Sequence, residues 1–216
     1  RRSCRHAICG SCAMMVNRQN TLVCTTPLES VVNNGGLFSK ADTVTIDPLP
    51  YLPVIKDLVV DRSVFWEQYE KVKPWLMPPD TIPEKEFRMT QEEVNAMEQA
   101  ETCIMCGACY SSCPVVAGNK QYLGPHALLK AFLRIVDPRD TAPDERLDMI
   151  GTETGAFRCH KVSNCIDACP KGLNPAQAIS NLAKASMRAG RLSAERAERM
   201  KSLIDMLDES AEPEKV

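Results

Sequence analysis

Aromatic residues are scarce in this sequence: Phe, Trp and Tyr together make up 5% of its 216 residues. That leaves too little π surface to stack a run of nucleic-acid bases. A dominant charge is missing as well. With 26 Lys and Arg against 28 Asp and Glu, no global field attracts a polyanion, and nucleic acid is not an expected partner. Long apolar runs are also absent. Stretches such as Leu58–Val60 fall far short of the ~20 residues a membrane-spanning helix needs, so the expectation is a chain that does not cross a membrane but can lie on one. No signal peptide is evident. The chain opens on Arg1 rather than Met, which fits a fragment or trimmed form and makes that absence a weak guide to targeting. The length suffices for one or two domains with a real core.

Cysteine is abundant, with eleven residues. An odd count in tight Cys-x-x-Cys groups suits a metal, whose ligands must converge on one centre, better than an evenly spread disulfide framework. A reducing compartment follows. The cysteines fall in three groups, over 4–24, 103–113 and 159–169. Pro48, Pro50 and Pro53, then Pro74, Pro78, Pro79 and Pro83, mark extended connectors between the first group and the rest.

The segment before these connectors has few helical patterns. It shows short candidate strands at Ala13–Val16, Thr21–Cys24 and Thr43–Ile46, with a turn signal at Asn33-Asn34-Gly35-Gly36. From Asp61 the pattern becomes helical. Asp61 is a candidate cap for a helix with Val64, Phe65 and Tyr69 on one face. Thr90 and Glu93 have capping-box spacing ahead of 91–101. Pro125 and Asn174-Pro175 are helix starts, and Gly190 ends the last of these segments. A final helix over 194–208 and a polar tail from Glu209 complete the reading. The fold class is α+β, with residues 1–57 as a small α+β domain and residues 58–216 as a mostly α-helical domain.

Cys4, Cys9, Cys12 and Cys24 have plant-type [2Fe–2S] spacing, with a last gap shorter than in soluble plant ferredoxins. The loop from Arg5 to Ser11 must wrap the cluster and aim backbone N–H groups at sulfur, and Gly10 permits the close approach. Arg1, Arg2 and Arg5 place positive charge nearby. A structural zinc site is the alternative, but it usually shows two Cys-x-x-Cys knuckles and this set has one.

Cys103, Cys106, Cys109 and Cys113, followed by Pro114, spell the bacterial ferredoxin signature. The third group repeats that frame as Cys159, Val162, Cys165, Cys169 and Pro170, with valine in the second position. In two-cluster ferredoxins the fourth cysteine serves the other cluster. Cys103, Cys106, Cys109 and Cys169 therefore make a complete [4Fe–4S] set. Cys113, Cys159 and Cys165 make a three-thiolate set, and Val162 offers no lone pair to a fourth iron, which implies [3Fe–4S].

The strings SCRHAICGSCAMMVN and TLVCTTPL, then DLVVDRSVFW, CIMCGACYSSCPV, YLGPHALL and DPRD, and finally RCHKVSNCIDACPKGLNP together resemble the iron–sulfur subunit of succinate dehydrogenase and fumarate reductase. The resemblance covers residues 2 to about 190. It implies a β-grasp first domain, incomplete at its start, and a bacterial-ferredoxin-like second domain. It also implies a place between the tricarboxylic acid cycle and the respiratory chain. Electrons come from FAD in a flavoprotein subunit and pass through the three clusters. They leave for a quinone against one or two membrane-anchor subunits, with or without haem b, and this chain has no catalytic residues of its own. Its location is then peripheral, on the cytoplasmic face of a bacterial or archaeal inner membrane or the matrix side of the mitochondrial one.

By the same resemblance Pro114, His160 and Val162 are quinone-adjacent. His160 favours succinate oxidation, and its alternative role is a packed histidine capping backbone. His6 and His126 read as structural or solvated. Many succinate dehydrogenases place a quinone-contacting tryptophan soon after the second Cys-Pro. Here Val115–Lys120 has no aromatic, and Trp66 and Trp75 read as packing residues. Three functions stay in view: a succinate- or fumarate-direction subunit, a subunit of another quinone-linked dehydrogenase, and a free ferredoxin carrier. The last does not need the helical stretches over 60–100 and 174–208.

Overall fold

The computed structural model describes residues 2–33 and 43–189. Strands β1 (Ala13–Val16) and β2 (Gln19–Leu22) form an antiparallel hairpin with Ala13 opposite Leu22 and Val16 opposite Gln19. Its turn is Asn17-Arg18, both left-handed at φ 45° and 66°, the geometry that matches the twist of the flanking strands. The Asn17 side chain also accepts the Thr45 N–H at 3.0 Å. That helps set β3 (Ile46–Asp47) on the free side of β1, in the order β2–β1–β3. β1 coincides with the expected strand, whereas β2 ends two residues before the expected Cys24. The Thr25 and Thr26 hydroxyls both donate to the Leu22 carbonyl, at 3.3 and 2.9 Å, and Val23–Thr25 winds into a 3-10 turn. Helix α1 (Leu28–Asn33) and the hairpin of β4 (Val54–Lys56) and β5 (Val59–Val60) have no counterpart in the sequence reading. Asn34, Gly35 and Gly36 of the expected turn, Gly190, the helix over 194–208 and the tail lie outside the described residues.

Helix α2 (Ser63–Lys71) starts just after Asp61, whose carboxylate accepts the Ser63 N–H at 2.9 Å and its hydroxyl at 2.6 Å. Its buried side carries Phe65 and Gln68, not Val64, which is exposed. Trp66 and Trp75 are 41% and 52% exposed, so they are not core packing residues. Helix α3 (Gln91–Glu101) has both halves of its capping box. The Thr90 hydroxyl accepts the Glu93 N–H, and the Thr90 N–H donates to the Glu93 carboxylate at 2.7 Å. Then follow α4 (Ala108–Ser111), α5 (Pro114–Gly118), α6 (Gly124–Ile135), α7 (Pro143–Ile150), α8 (Asn164–Asp167) and α9 (Pro175–Arg188). Asn174 caps α9 by accepting the Gln177 N–H at 2.9 Å, with Pro175 in the first turn.

Helix α6 is the hub. Ala127, Leu128, Leu129, Ala131 and Leu133 are buried round its circumference, and α2, α3, α4, α7 and α9 pack on it. One apolar core runs from Ala13 and Leu22 of the first hairpin through Phe65 and Leu128 to Ile179 and Leu182 of α9. The sheet unit and the helical unit are therefore joined by burial, which is what holds the cysteine loops of one against those of the other.

The proline-rich connector after α2 has few backbone partners of its own, and side chains replace them. Arg134 donates to the Pro74 carbonyl at 2.9 Å. Arg146 donates to the carbonyls of Lys73 at 3.1 Å and Trp75 at 2.7 Å and pairs with Asp140. Asp140 in turn accepts the Met77 N–H at 3.0 Å. Burial alone would raise the Asp137 carboxyl, but Arg139 and Arg134 hold it low. The DPRD string is thus a clamp on the connector.

Candidate iron–sulfur sites

Each of the eleven thiols is free. In the first set, left-handed residues at Arg5, Ala7 and Gly10 (φ 62°, 55° and 68°) curl the loop so that amides face sulfur. The N–H groups of His6 and Cys9 approach Cys4 Sγ at 3.3 Å, and the Cys4 N–H approaches Cys9 Sγ at 3.4 Å. The N–H of Cys4, and then that of Ser11, lower the Cys9 thiol to about 6. The β1–β2 register brings together the other two cysteines of the set. Ala13 faces Leu22, the Val23 N–H donates to the Cys12 carbonyl at 3.2 Å, and Cys12 and Cys24 come side by side at the hairpin end. Arg2, Arg5 and His6 are exposed, and Arg1 lies outside the described residues.

Gly10 is a point of close contact between the first and second cysteine loops. A Cβ there would lie 2.8 Å from the Cα of Cys106 and 3.1 Å from the Ile104 carbonyl oxygen. Only glycine lets the two cysteine loops approach this closely, and its φ of 68° asks for glycine independently.

The other seven cysteines line two cavities. Cys103, Cys106, Cys109 and Cys169 line one of them. Cys113, Cys159 and Cys165 line the other, together with Pro114, His160 and Val162. Cys169 thus reaches the cavity of the earlier group, and Cys113 that of the later one. The sequence repeat is also a backbone repeat. Met105 and Lys161 share a left-handed φ (53° and 56°), as do Gly107 and Ser163 (89° and 69°). A single helical turn follows each pair, α4 and α8, and the two turns pack on one another. The Asn164 side chain joins them by donating to the Ser112 carbonyl at 3.2 Å.

The donor set fits polynuclear clusters. Among the described residues no three His, Cys, Asp or Glu side chains gather tightly enough to hold a single ion; zinc at 2.3 Å from each sulfur would draw thiolates to within about 4 Å of each other. Desolvation first, then neighbouring thiolates, push the thiols of Cys106 and Cys165 up to about 11. Such groups ionise together only where a bound cation supplies compensating charge.

Sequence reasoning missed two neighbours. Tyr122 is buried on the wall of the second cavity, with its hydroxyl against the Cys159 thiol; its place in the YLGPHALL string was the only signal. Arg62 reaches the loop of the first cavity, where its Nη2 donates to the Met105 carbonyl at 2.6 Å. His126 is structural: it is buried, bonded to the Phe65 carbonyl at 2.8 Å, and desolvation lowers it to about 3. His160, Lys161 and Ser163 are exposed and Val162 is 53% exposed, so the second cavity has one wall at the molecular surface.

The comparisons agree with this geometry. A 2Fe-2S iron-sulfur cluster binding domain matches residues 1–67, and a 4Fe-4S dicluster domain matches residues 95–170. The chain is 44% identical over 192 residues to the mitochondrial succinate dehydrogenase [ubiquinone] iron-sulfur subunit 1 of Oryza sativa subsp. japonica, covering 88% of this chain and 65% of that one. It is 43% identical over 183 residues to the succinate dehydrogenase iron-sulfur subunit of Paracoccus denitrificans, covering 84% and 67%. A solved structure, the Mycobacterium smegmatis Sdh1 complex in the apo form, superposes with a TM-score of 0.77 at 28% identity, covering 88% of this chain and 77% of that one. The chain spans about two-thirds of the length of these curated relatives. A plant-type set and a crossed, valine-interrupted bacterial pair, on a fold and sequence shared with these proteins, make this chain a member of the succinate dehydrogenase iron–sulfur subunit family.

Proposed function

We propose that this chain is the electron-relay subunit of a succinate:quinone oxidoreductase, taking electrons from FAD in a flavoprotein subunit and handing them to a membrane quinone. Cys4, Cys9, Cys12 and Cys24 hold [2Fe–2S]; Cys103, Cys106, Cys109 and Cys169 hold [4Fe–4S]; Cys113, Cys159 and Cys165 hold [3Fe–4S]. The clusters supply one-electron steps, and the chain supplies their spacing and surroundings. The carrying observation is the crossing of Cys113 and Cys169 between the two cavities, with Val162 where a fourth thiol would stand.

Three features support an order along the relay. The exposed loop of the first set, with Ile8 63% exposed at its tip, faces the flavoprotein. Gly10 against Cys106 brings the first set up to the second. Pro114, His160 and Val162, on the open wall of the last cavity, face the quinone and the anchor subunits, where the His160 imidazole is placed to hydrogen-bond. No described helix is long and apolar enough to cross a membrane, which suits a subunit held there by one or two anchors, with or without haem b. The relatives' names favour the succinate direction over fumarate reduction.

The test is succinate:quinone activity of the purified native complex, assayed with ubiquinone and menaquinone analogues alongside flavin absorbance. The proposal expects flavin to co-purify and one quinone class to be reduced. Activity with neither analogue, and no flavoprotein, contradicts it.

A further inference from the structure

Arg62 lies outside every cysteine motif, yet it is built into the wall of the [4Fe–4S] site. Its Nη2 donates to the Met105 carbonyl at 2.6 Å, one residue before Cys106, and sits 3.3 Å from where a Cβ of Gly107 would be. Its guanidinium carbon lies 4.3 Å from the centre of the Phe65 ring and 5.2 Å from that of Trp66. Phe65 is fully buried and stacks on His126 at 3.8 Å with an 11° interplanar angle. Two groups this close cannot share one face, so Phe65 is held between the imidazole and the guanidinium.

This arrangement fixes a charge. Arginine stays protonated at any working pH. His126 is neutral because it is buried, and its Nε2 faces the Phe65 carbonyl at 2.8 Å, so it does not compete. The guanidinium thereby has a set position beside the Cys106 loop, in a half-buried setting that screens it less than open solvent would. The other repeat differs. Its equivalent of the Met105 carbonyl, that of Lys161, accepts from the Ser163 hydroxyl at 3.3 Å.

A cluster held by four thiolates is anionic and becomes more so on reduction. A fixed cation beside it therefore favours the reduced form. We propose that Arg62 is a positioning and potential-setting residue for the [4Fe–4S] site of Cys103, Cys106, Cys109 and Cys169, holding the Met105 carbonyl and raising the midpoint potential of that cluster alone. The proposal rests on the cluster assignment above.

The experiment is a redox-poised, low-temperature EPR titration of the native complex carrying wild-type, Arg62→Gln, Arg62→Met or Arg62→Lys chains. Arg62→Met keeps an apolar stem over Phe65 and serves if Arg62→Gln fails to assemble. The expected result is a downward shift of the [4Fe–4S] midpoint in Gln and Met, largely restored in Lys, with the other two midpoints unmoved. An unmoved [4Fe–4S] midpoint overturns the proposal. So does a shift in Lys as large as in Gln, or an equal shift in all three clusters, since either marks a structural role only. A wild-type complex with no [4Fe–4S] signal overturns the cluster assignment itself, and the proposal with it.

Discussion

At the scale of single residues, the site is governed by where a side chain is missing as much as by where one is present. Val162 stands on the wall of the last cavity where the repeat calls for cysteine, and a valine cannot bind iron. Gly10 has no Cβ, and the space one would fill belongs to Cys106. Gly10→Ala forces a side chain into a left-handed position, which costs roughly 1–2 kcal/mol on its own, and into backbone that cannot swing aside. The expected outcome is a lower urea midpoint together with an altered EPR line shape of the [4Fe–4S] cluster, because the contact is to Cys106, a proposed ligand of that cluster. A variant with wild-type stability and line shape would show that the two loops are not in contact. These residues were legible to different degrees. Gly10 and Val162 stand inside motifs, so spacing alone drew attention to them. Arg62 meets Met105 across 43 positions of sequence, and no local pattern signals such a contact.

At the scale of elements, short-range chemistry was readable and tertiary choices were not. The capping box at Thr90 and Glu93, the cap at Asn174 and the strand Ala13–Val16 depend on neighbours within a few positions, so residue type decides them. The face of α2 did not follow. Phe65 and Gln68 are its buried residues, with Val72 buried just past its end, and a polar Gln68 hides that period; it is buried because its amide donates to the carbonyls of Lys120 and Tyr122. The connector after α2 shows the same limit. Prolines announced an extended run but gave no hint that buried Arg146 would hold it by Lys73, Trp75 and Asp140. Removing one member of a buried pair leaves the other uncompensated, at about 3–5 kcal/mol. Arg146→Met is therefore expected to destabilise the chain by that amount in urea unfolding, with the connector amides losing exchange protection first. A loss below about 1 kcal/mol, the range of an exposed pair, would show that the clamp is not buried in solution.

At the scale of the whole molecule, the arrangement is a row of three sites made from two units sharing one core. The order of the sites follows from two contacts, Gly10 on Cys106 and α4 on α8. Cys113 and Cys169, each lining the cavity of the other repeat, tie the last two sites into one body. Sequence made this legible because the repeat frame is periodic and its one break is conspicuous. What it left out was access: exposure of His160, Val162 and Ser163 depends on how α8 sits on α4 and α9, which only the fold decides.

On the proposed assignment, Cys113, Cys159 and Cys165, with Val162 beside them, hold a three-iron cluster. Low-temperature EPR of the air-oxidised complex tests it most directly, with the Val162→Cys variant measured alongside. The account predicts a [3Fe–4S] signal in the wild type that is lost or much reduced in Val162→Cys, as a completed fourth corner shifts the site toward [4Fe–4S] and lowers its potential. An oxidised wild type without a [3Fe–4S] signal would contradict it.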